Sequence, residues 1–230
     1  MMAVRAVVNY QKLGALILAA VVLYNEYLAY YSAFSQWPDL PQATTTTTHI
    51  LLVADPQIQG LQDEPAFPLG SVTRWDSDRY LAKTFGWALY YYRPDVIVFL
   101  GDLVDEGSRT TSRDLYLDYV YRFHSIYPSH SAGLMIYVGG DNDLGGEGEP
   151  VTKEKIDQFR EFFPHRTVNK LKGTASSSSD IVALNVLSQQ APNLTAEIPE
   201  MSSSEDGGDG KRKHFRIGVA HIPVLPPFDG

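Results

Sequence analysis

Residues 95–107 read DVIVFLGDLVDEG, and this stretch decides the fold. Val96, Ile97, Val98, Phe99 and Leu100 form an unbroken apolar run, too short for a typical helix and rich in β-branched residues. Such a run predicts a strand buried on both faces. Gly101 then permits a sharp turn and close backbone approach. Directly after it, Asp102, Asp105 and Glu106 place three carboxylates at the carboxyl end of the strand, where α/β sheets keep their sites. That much negative charge beside a hydrophobic strand argues for a bound cation. Standing alone, the stretch reads equally well as an acidic loop facing water.

Three further stretches repeat the pattern. Residues 49–60, HILLVADPQIQG, end an apolar β run in Asp55, with Gln57 two residues on. Residues 133–146, GLMIYVGGDNDLGG, run through Gly139 and Gly140 into Asp141, Asn142 and Asp143. Residues 214–224, HFRIGVAHIPV, deliver His221 before a proline. Neighbouring parallel strands set their carboxyl ends side by side, so four ends that each offer a hard oxygen or imidazole describe a metal site.

The words DPQ at 55–57, GDLVD at 101–105, GDND at 140–143 and AHIP at 220–223 resemble the ordered signature of calcineurin-like metallophosphoesterases: D-x-H, GD-x-x-D, GNH[DE], a strand-end His, then G-H-x-H. YNEYLAYY, RWDSDRY at 74–80 and GDLVDEG are similar to the branch of metallophosphoesterase 1 homologues. The resemblance covers most of residues 13–224, and GDLVDEG is its most specific word. It implies an α/β fold with two β-sheets between helical layers and the metals at one sheet edge, preceded by an N-terminal transmembrane helix. It also implies a metal-dependent phosphodiesterase that removes ethanolamine phosphate from glycosylphosphatidylinositol (GPI) anchors in the membranes of the endoplasmic reticulum and Golgi. GPI-anchored proteins would be its substrates.

The same resemblance implies the ligand set. Two divalent cations, expected to be manganese, would hold the phosphate and stabilise in-line attack. Asp55 would bind the first, Asp102 would bridge both, and Asp141 and His221 would bind the second. Gln57 occupies the place of a ligand His, and its amide oxygen would be a weaker donor to a hard ion, so its role stays open. Asp105 would steer a ligand from behind. Asn142 stands where the family has its catalytic His, leaving Asp143 and Glu147 as the nearby acids. The family's G-H-x-H segment is expected after His221 but does not occur before Gly230, which suggests a fragment or short isoform of a longer enzyme.

Length and composition fit these expectations. The 230 residues suffice for one sizeable core, and a net charge of -8 without a dense Lys/Arg patch argues against nucleic acid as the partner. The chain has no cysteine, so ligands must be oxygen or nitrogen. KRK at 211–213 reads as part of a solvated loop.

In chain order, residues 1–12 would be a cytosolic N-terminus and 13–34 a membrane anchor. Arg5 and Lys12 precede the anchor and no Lys or Arg follows until Arg74, which would place the rest in the lumen. A cleaved signal peptide competes with the anchor. Residues 35–48 read as a linker and 49–230 as the catalytic domain. Asp76 or Ser77 is expected to cap a helix, ending before Pro94, whose Tyr80, Leu81, Ala88, Leu89 and Tyr92 share one face. Thr111 or Ser112 would cap another, and residues 151–163 would form a third. His124 and His130 read as surface or core-edge residues. Residues 181–186 read as a strand, the serines at 176–179 and the tract 202–213 as turns, and Asn193 as the one glycosylation sequon. The competing functions are a non-catalytic lumenal GPI-binding or cargo-adaptor protein and a metallophosphatase for another phosphoester. The sequence leaves oligomeric state open.

Overall fold

The computed structural model describes residues 2–39, 48–109, 112–146, 149–164, 168–171, 177–183 and 213–221. Glu147, Asn193 and most of the tract 202–213 lie outside the described residues. The chain divides into two compact units, Met1–Gln42 and Ala43–Gly230.

The first unit is helical from Met2, earlier than the apolar run alone suggests. Helix α1 spans Met2–Leu23, a π-helical turn covers Tyr24–Leu28, and α2 spans Ala29–Phe34. Tyr10–Phe34 is long and apolar enough to cross a membrane, by length and composition alone. Asn25 and Glu26, the polar interruption, fall in the π turn, where the Asn25 amide donates to the Val21 carbonyl at 2.9 Å. One widened turn therefore absorbs the polar pair without ending the helix.

The second unit is an α/β fold. Strands β1 (Ile50–Val53), β2 (Val96–Phe99) and β3 (Leu134–Tyr137) form a parallel sheet in that order. A second sheet holds β4 (Val168–Leu171), antiparallel to β5 (Ser177–Ala183), with β6 (Lys213–Val219) parallel to β5. All four residues of β2 are buried, as its unbroken apolar run requires. Alternation along β2 divides the core: Ile97 and Phe99 join the helix-side cluster, while Val96 and Val98 meet Ile136, Val138 and Val219 of β6 on the other face. On the helix side, the Phe99 ring lies 5.1 Å from Phe123, 5.2 Å from Tyr127 and 5.4 Å from Tyr137.

Helix α3 (Leu69–Tyr92) starts well before the expected cap at Asp76 or Ser77. Pro68 carries the first helical carbonyl, which accepts from Val72 N at 3.1 Å, and proline costs nothing at a helix start because its missing N–H has no partner there anyway. Its core face is Leu81, Phe85 and Leu89; Tyr80, expected on one face with Leu81 and Leu89, is exposed. Helix α4 (Arg113–Ile126) is capped by Ser112, whose Oγ accepts from Leu115 N, and α6 (Lys153–Phe162) by Thr152. Between them, α5 (Asp141–Leu144) is a single turn after β3. His124 packs against Phe123 and Phe163 at the core edge, where burial pulls its pKa down. Most of the serine run is strand rather than turn, because β5 begins at Ser177.

Candidate metal centre

The carboxyl ends of β1 and β2 do not splay apart after the strands stop. Leu100 N bonds to the Val53 carbonyl, Gln57 N to Asp102 O, Ile58 N to Leu103 O, and Asp105 N to Ile58 O, at 2.8 to 3.2 Å. This zip carries Asp55 and Gln57 beside Asp102. The backbone is left-handed at all three, with φ of 46° at Asp55, 35° at Gln57 and 51° at Asp102. Non-glycine residues adopt this region at a cost, and a cluster of three at one sheet edge is characteristic of a built site.

His221 arrives from the end of β6. Its Nδ1 lies 2.9 Å from the Leu100 carbonyl, which fixes that nitrogen as a donor, and its Nε2 lies 3.0 Å from Asp141 Oδ1 and 3.5 Å from Asp102 Oδ1. Asp55 Oδ1 is 3.6 Å from the same ring. Ligand atoms of Asp55, Asp102 and His221 all fall within 4.8 Å of one another. Partial burial would lower the His221 pKa, but the Leu100 carbonyl and the carboxylates of Asp102, Asp141 and Asp55 outweigh it, so the imidazole is held above its ordinary range.

Two glycines make the approach possible. A Cβ at Gly140 would lie 2.0 Å from Asp102 Oδ1 and 2.4 Å from Asp102 N; one at Gly101, where φ is 104°, would lie 2.4 Å from His221 Nδ1. The Asp102 carboxylate is buried and held by the loops that follow β1 and β3: it accepts from Asn142 N at 3.1 Å, Asn142 Nδ2 at 3.0 Å and Gln57 Nε2 at 3.2 Å. Asp55, Gln57, Asp102, Asp141, Asn142 and His221 thus share one cluster.

The other acids of the motif sit elsewhere. Asp143 is buried and accepts from Gly140 N, Leu103 N and Val104 N at 2.9 to 3.1 Å, clamping the two site loops together. Burial pushes its carboxyl up to about 7, against the lowering effect of those N–H donors. Glu106, read from sequence as a possible cation holder, is instead a backbone staple. Its buried carboxylate accepts from Leu61 N, Gln62 N, Asp63 N and the Tyr119 hydroxyl at 2.7 to 3.1 Å. Burial alone would raise its pKa, yet these donors bring it below the usual glutamate value. Partial burial, with Glu106 and Asp63 nearby, pushes Asp105 up. Arg122, which the sequence reading passed over, forks onto Asp78 at 2.8 and 2.9 Å and donates to the Gln59 carbonyl, tying α4 to α3 and the first site loop. RWDSDRY supplies that Asp78, so part of this word's meaning is scaffold.

The profile of the calcineurin-like phosphoesterase family matches residues 48–223. The chain belongs to this family. Metallophosphoesterase 1 from Pongo abelii is 28% identical over 173 residues, 72% of this chain and 43% of that protein. Its Caenorhabditis elegans homologue is 27% identical, covering 68% and 42%. Cell division control protein 1 from Saccharomyces cerevisiae is 29% identical, covering 83% and 38%. The chain therefore spans about two fifths of the length of these curated relatives. A solved dimetal phosphatase from Danio rerio aligns at 14% identity with a TM-score of 0.36, covering 59% of this chain and 43% of that one, too distant to carry argument.

Proposed function

We propose that this chain is the catalytic part of a membrane-anchored metallophosphodiesterase that removes ethanolamine phosphate from GPI anchors. It would act on the lumenal side of the endoplasmic reticulum and Golgi, supporting transport of GPI-anchored proteins. The observation that carries the phosphoesterase reading is the convergence of Asp55, Asp102 and His221 beside Asp141. The GPI substrate comes from the branch to which the motif words are similar, and the relatives named Metallophosphoesterase 1 support that branch.

The residues fit a pair of divalent ions. Carboxylate oxygens and one imidazole make a hard donor set suited to manganese, and Gly140 and Gly101 let the backbone bring Asp102 and His221 close together. Asp55 and Asp102 would hold the first ion, and Asp102, Asp141 and His221 the second, with Gln57 as a weak further ligand. When bound, such ions supply Lewis acidity toward the phosphoryl oxygens. The chain itself supplies orientation. The Leu100 carbonyl presents His221 Nε2 to the carboxylates, and Asn142 holds the Asp102 plane. The Asn142 amide can donate a hydrogen bond to a phosphate oxygen but cannot deliver a proton to the leaving alcohol.

That last point favours a second reading, a GPI-binding adaptor without turnover, since Gln57 and Asn142 both stand where the family pattern has imidazoles. One experiment separates them. The chain purified in manganese is expected to hold two ions by elemental analysis and to cleave a phosphodiester only with metal present. Asp102→Asn is expected to lose both together. Retention of two ions by that variant would overturn the ligand assignment, and GPI-glycan binding without cleavage by the metal-loaded chain would favour the adaptor.

A further inference from the structure

The outer face of α3 has no role in the centre just described, and its composition is unusual for a solvated helix. At about 100° per residue, Leu81, Phe85 and Leu89 define one stripe directed at the core. Leu69, Val72 and Trp75 define another, about 140° away around the helix. These three are 66%, 57% and 61% exposed, and Phe67, just before the helix, is 85% exposed. Further along the same outer side come Arg79, Tyr80, Lys83 and Tyr90. The Arg79 guanidinium lies 4.7 Å over the Trp75 ring. Apolar and aromatic side chains interleaved with charged ones, Arg79 paired with Asp76 at 3.1 Å among them, match the chemistry of a lipid–water interface.

The position of the face points the same way. Helix α3 returns from the carboxyl end of β1 to the start of β2, so its first turns stand at the sheet edge that carries Asp55 and Asp102. Its 24 residues extend about 36 Å, while the four residues of β2 extend about 13 Å. Only the second half can therefore lie along the sheet, and the half bearing Leu69, Val72 and Trp75 reaches past it on the side of the candidate centre. The 15 residues from Phe34 to His49 can span at most about 50 Å, so a domain tethered to Tyr10–Phe34 stays within reach of the bilayer holding that helix.

We infer that the outer face of α3, from Phe67 through Trp75, rests on the surface of a lipid bilayer and sets the rim of the centre against it. This inference rests on the reading of Tyr10–Phe34 as an anchor and extends the proposed function to how a membrane-linked phosphoester would be met.

The absence of cysteine makes the test direct. Val72→Cys, Trp75→Cys and, as a reference, the 85%-exposed Lys153→Cys are each spin-labelled in the full chain, reconstituted in phosphatidylcholine–phosphatidylserine vesicles. Labels at 72 and 75 are expected to lose access to a water-soluble nickel chelate while gaining collisions with lipid-dissolved oxygen, whereas the label at 153 keeps its access to nickel. Nickel access at 72 and 75 equal to that at 153 would overturn the inference. So would exclusion of both nickel and oxygen, which marks cover by protein, or a short label-to-label distance between two copies. The readout needs neither metal nor turnover, so it can fail while the phosphodiesterase reading stands, and the reverse.

Discussion

Glu106 and Asp102 stand four residues apart in one acidic loop and do unrelated work. Asp102 accepts three bonds and lies 3.5 Å from His221 Nε2, while the Glu106 carboxylate accepts from three backbone N–H groups and the Tyr119 hydroxyl. The sequence could not separate them, because both read simply as acids after a strand. Nothing in it signals the left-handed backbone at Asp55, Gln57 and Asp102 either, since those positions are forced by the zip between two distant loops. What was legible is that four apolar runs end in polar ligand candidates; picking Asp55, Asp102, Asp141 and His221 from among them needed the resemblance to the family. Glu106→Gln is expected to destabilise the domain by about 2–4 kcal/mol at neutral pH, since it replaces one accepting oxygen by an NH2 donor that faces N–H and O–H donors. The folded pKa of Glu106 lies below its unfolded value of about 4.5, so its stabilisation is complete above that pH and fades as pH falls through the folded pKa. Urea unfolding of both proteins should therefore show the gap between wild type and Glu106→Gln narrowing from pH 6 toward about pH 3. Gly140→Ala makes a sharper test of the site. Its Cβ would displace Asp102, so metal content and hydrolysis should fall together while far-UV circular dichroism stays close to wild type.

At the scale of elements, the sheet was readable and the helix boundaries less so. Strands β1, β2 and β3 follow from apolar runs of the right length, α4 from a cap at Ser112, and α6 from the run 151–163 that ends before Pro164. The start of α3 is not marked by periodicity, because its first two turns bury little. Those turns are held by the loop that Glu106 staples and by Gly70, where a Cβ would meet the Pro65 carbonyl at 2.2 Å. The other end of α3 was marked by Pro94. There Arg93 takes the left-handed conformation, φ 42°, and its N–H closes the helix on the Leu89 carbonyl. Arg93 is exposed and bears a Cβ where glycine is preferred. Arg93→Gly is expected to stabilise the domain by about 0.5–1 kcal/mol, less the extra freedom glycine gives the unfolded chain. Thermal unfolding should show a small rise in midpoint without change in metal content, and a fall would mean that the Arg93 side chain contributes more than its backbone strain costs.

For the whole molecule, the placement of charge around the apolar run of residues 13–34 makes a statement about sidedness that the domain fold cannot make. Arg5 and Lys12 lie before the apolar run, and the next basic residue is Arg74. Cationic residues are retained on the cytosolic side of a membrane-spanning helix, so an uncleaved anchor with this bias would carry residues 35–230 into the lumen. A signal peptide would send the same residues to the same side but release them. Two observations on the full chain made in microsomes distinguish these outcomes. Asn193, in the triplet Asn193-Leu194-Thr195, is expected to acquire a glycan that Asn193→Gln abolishes, and the domain is expected to resist added protease until detergent is present. Carbonate extraction at high pH then decides between anchor and leader: an anchored chain stays with the membrane at its full mass, whereas a cleaved one appears in the supernatant shorter by the apolar segment. Digestion without detergent would place the domain in the cytosol and overturn the lumenal half of the proposed function, while leaving the cluster of Asp55, Asp102, Asp141 and His221 as it stands.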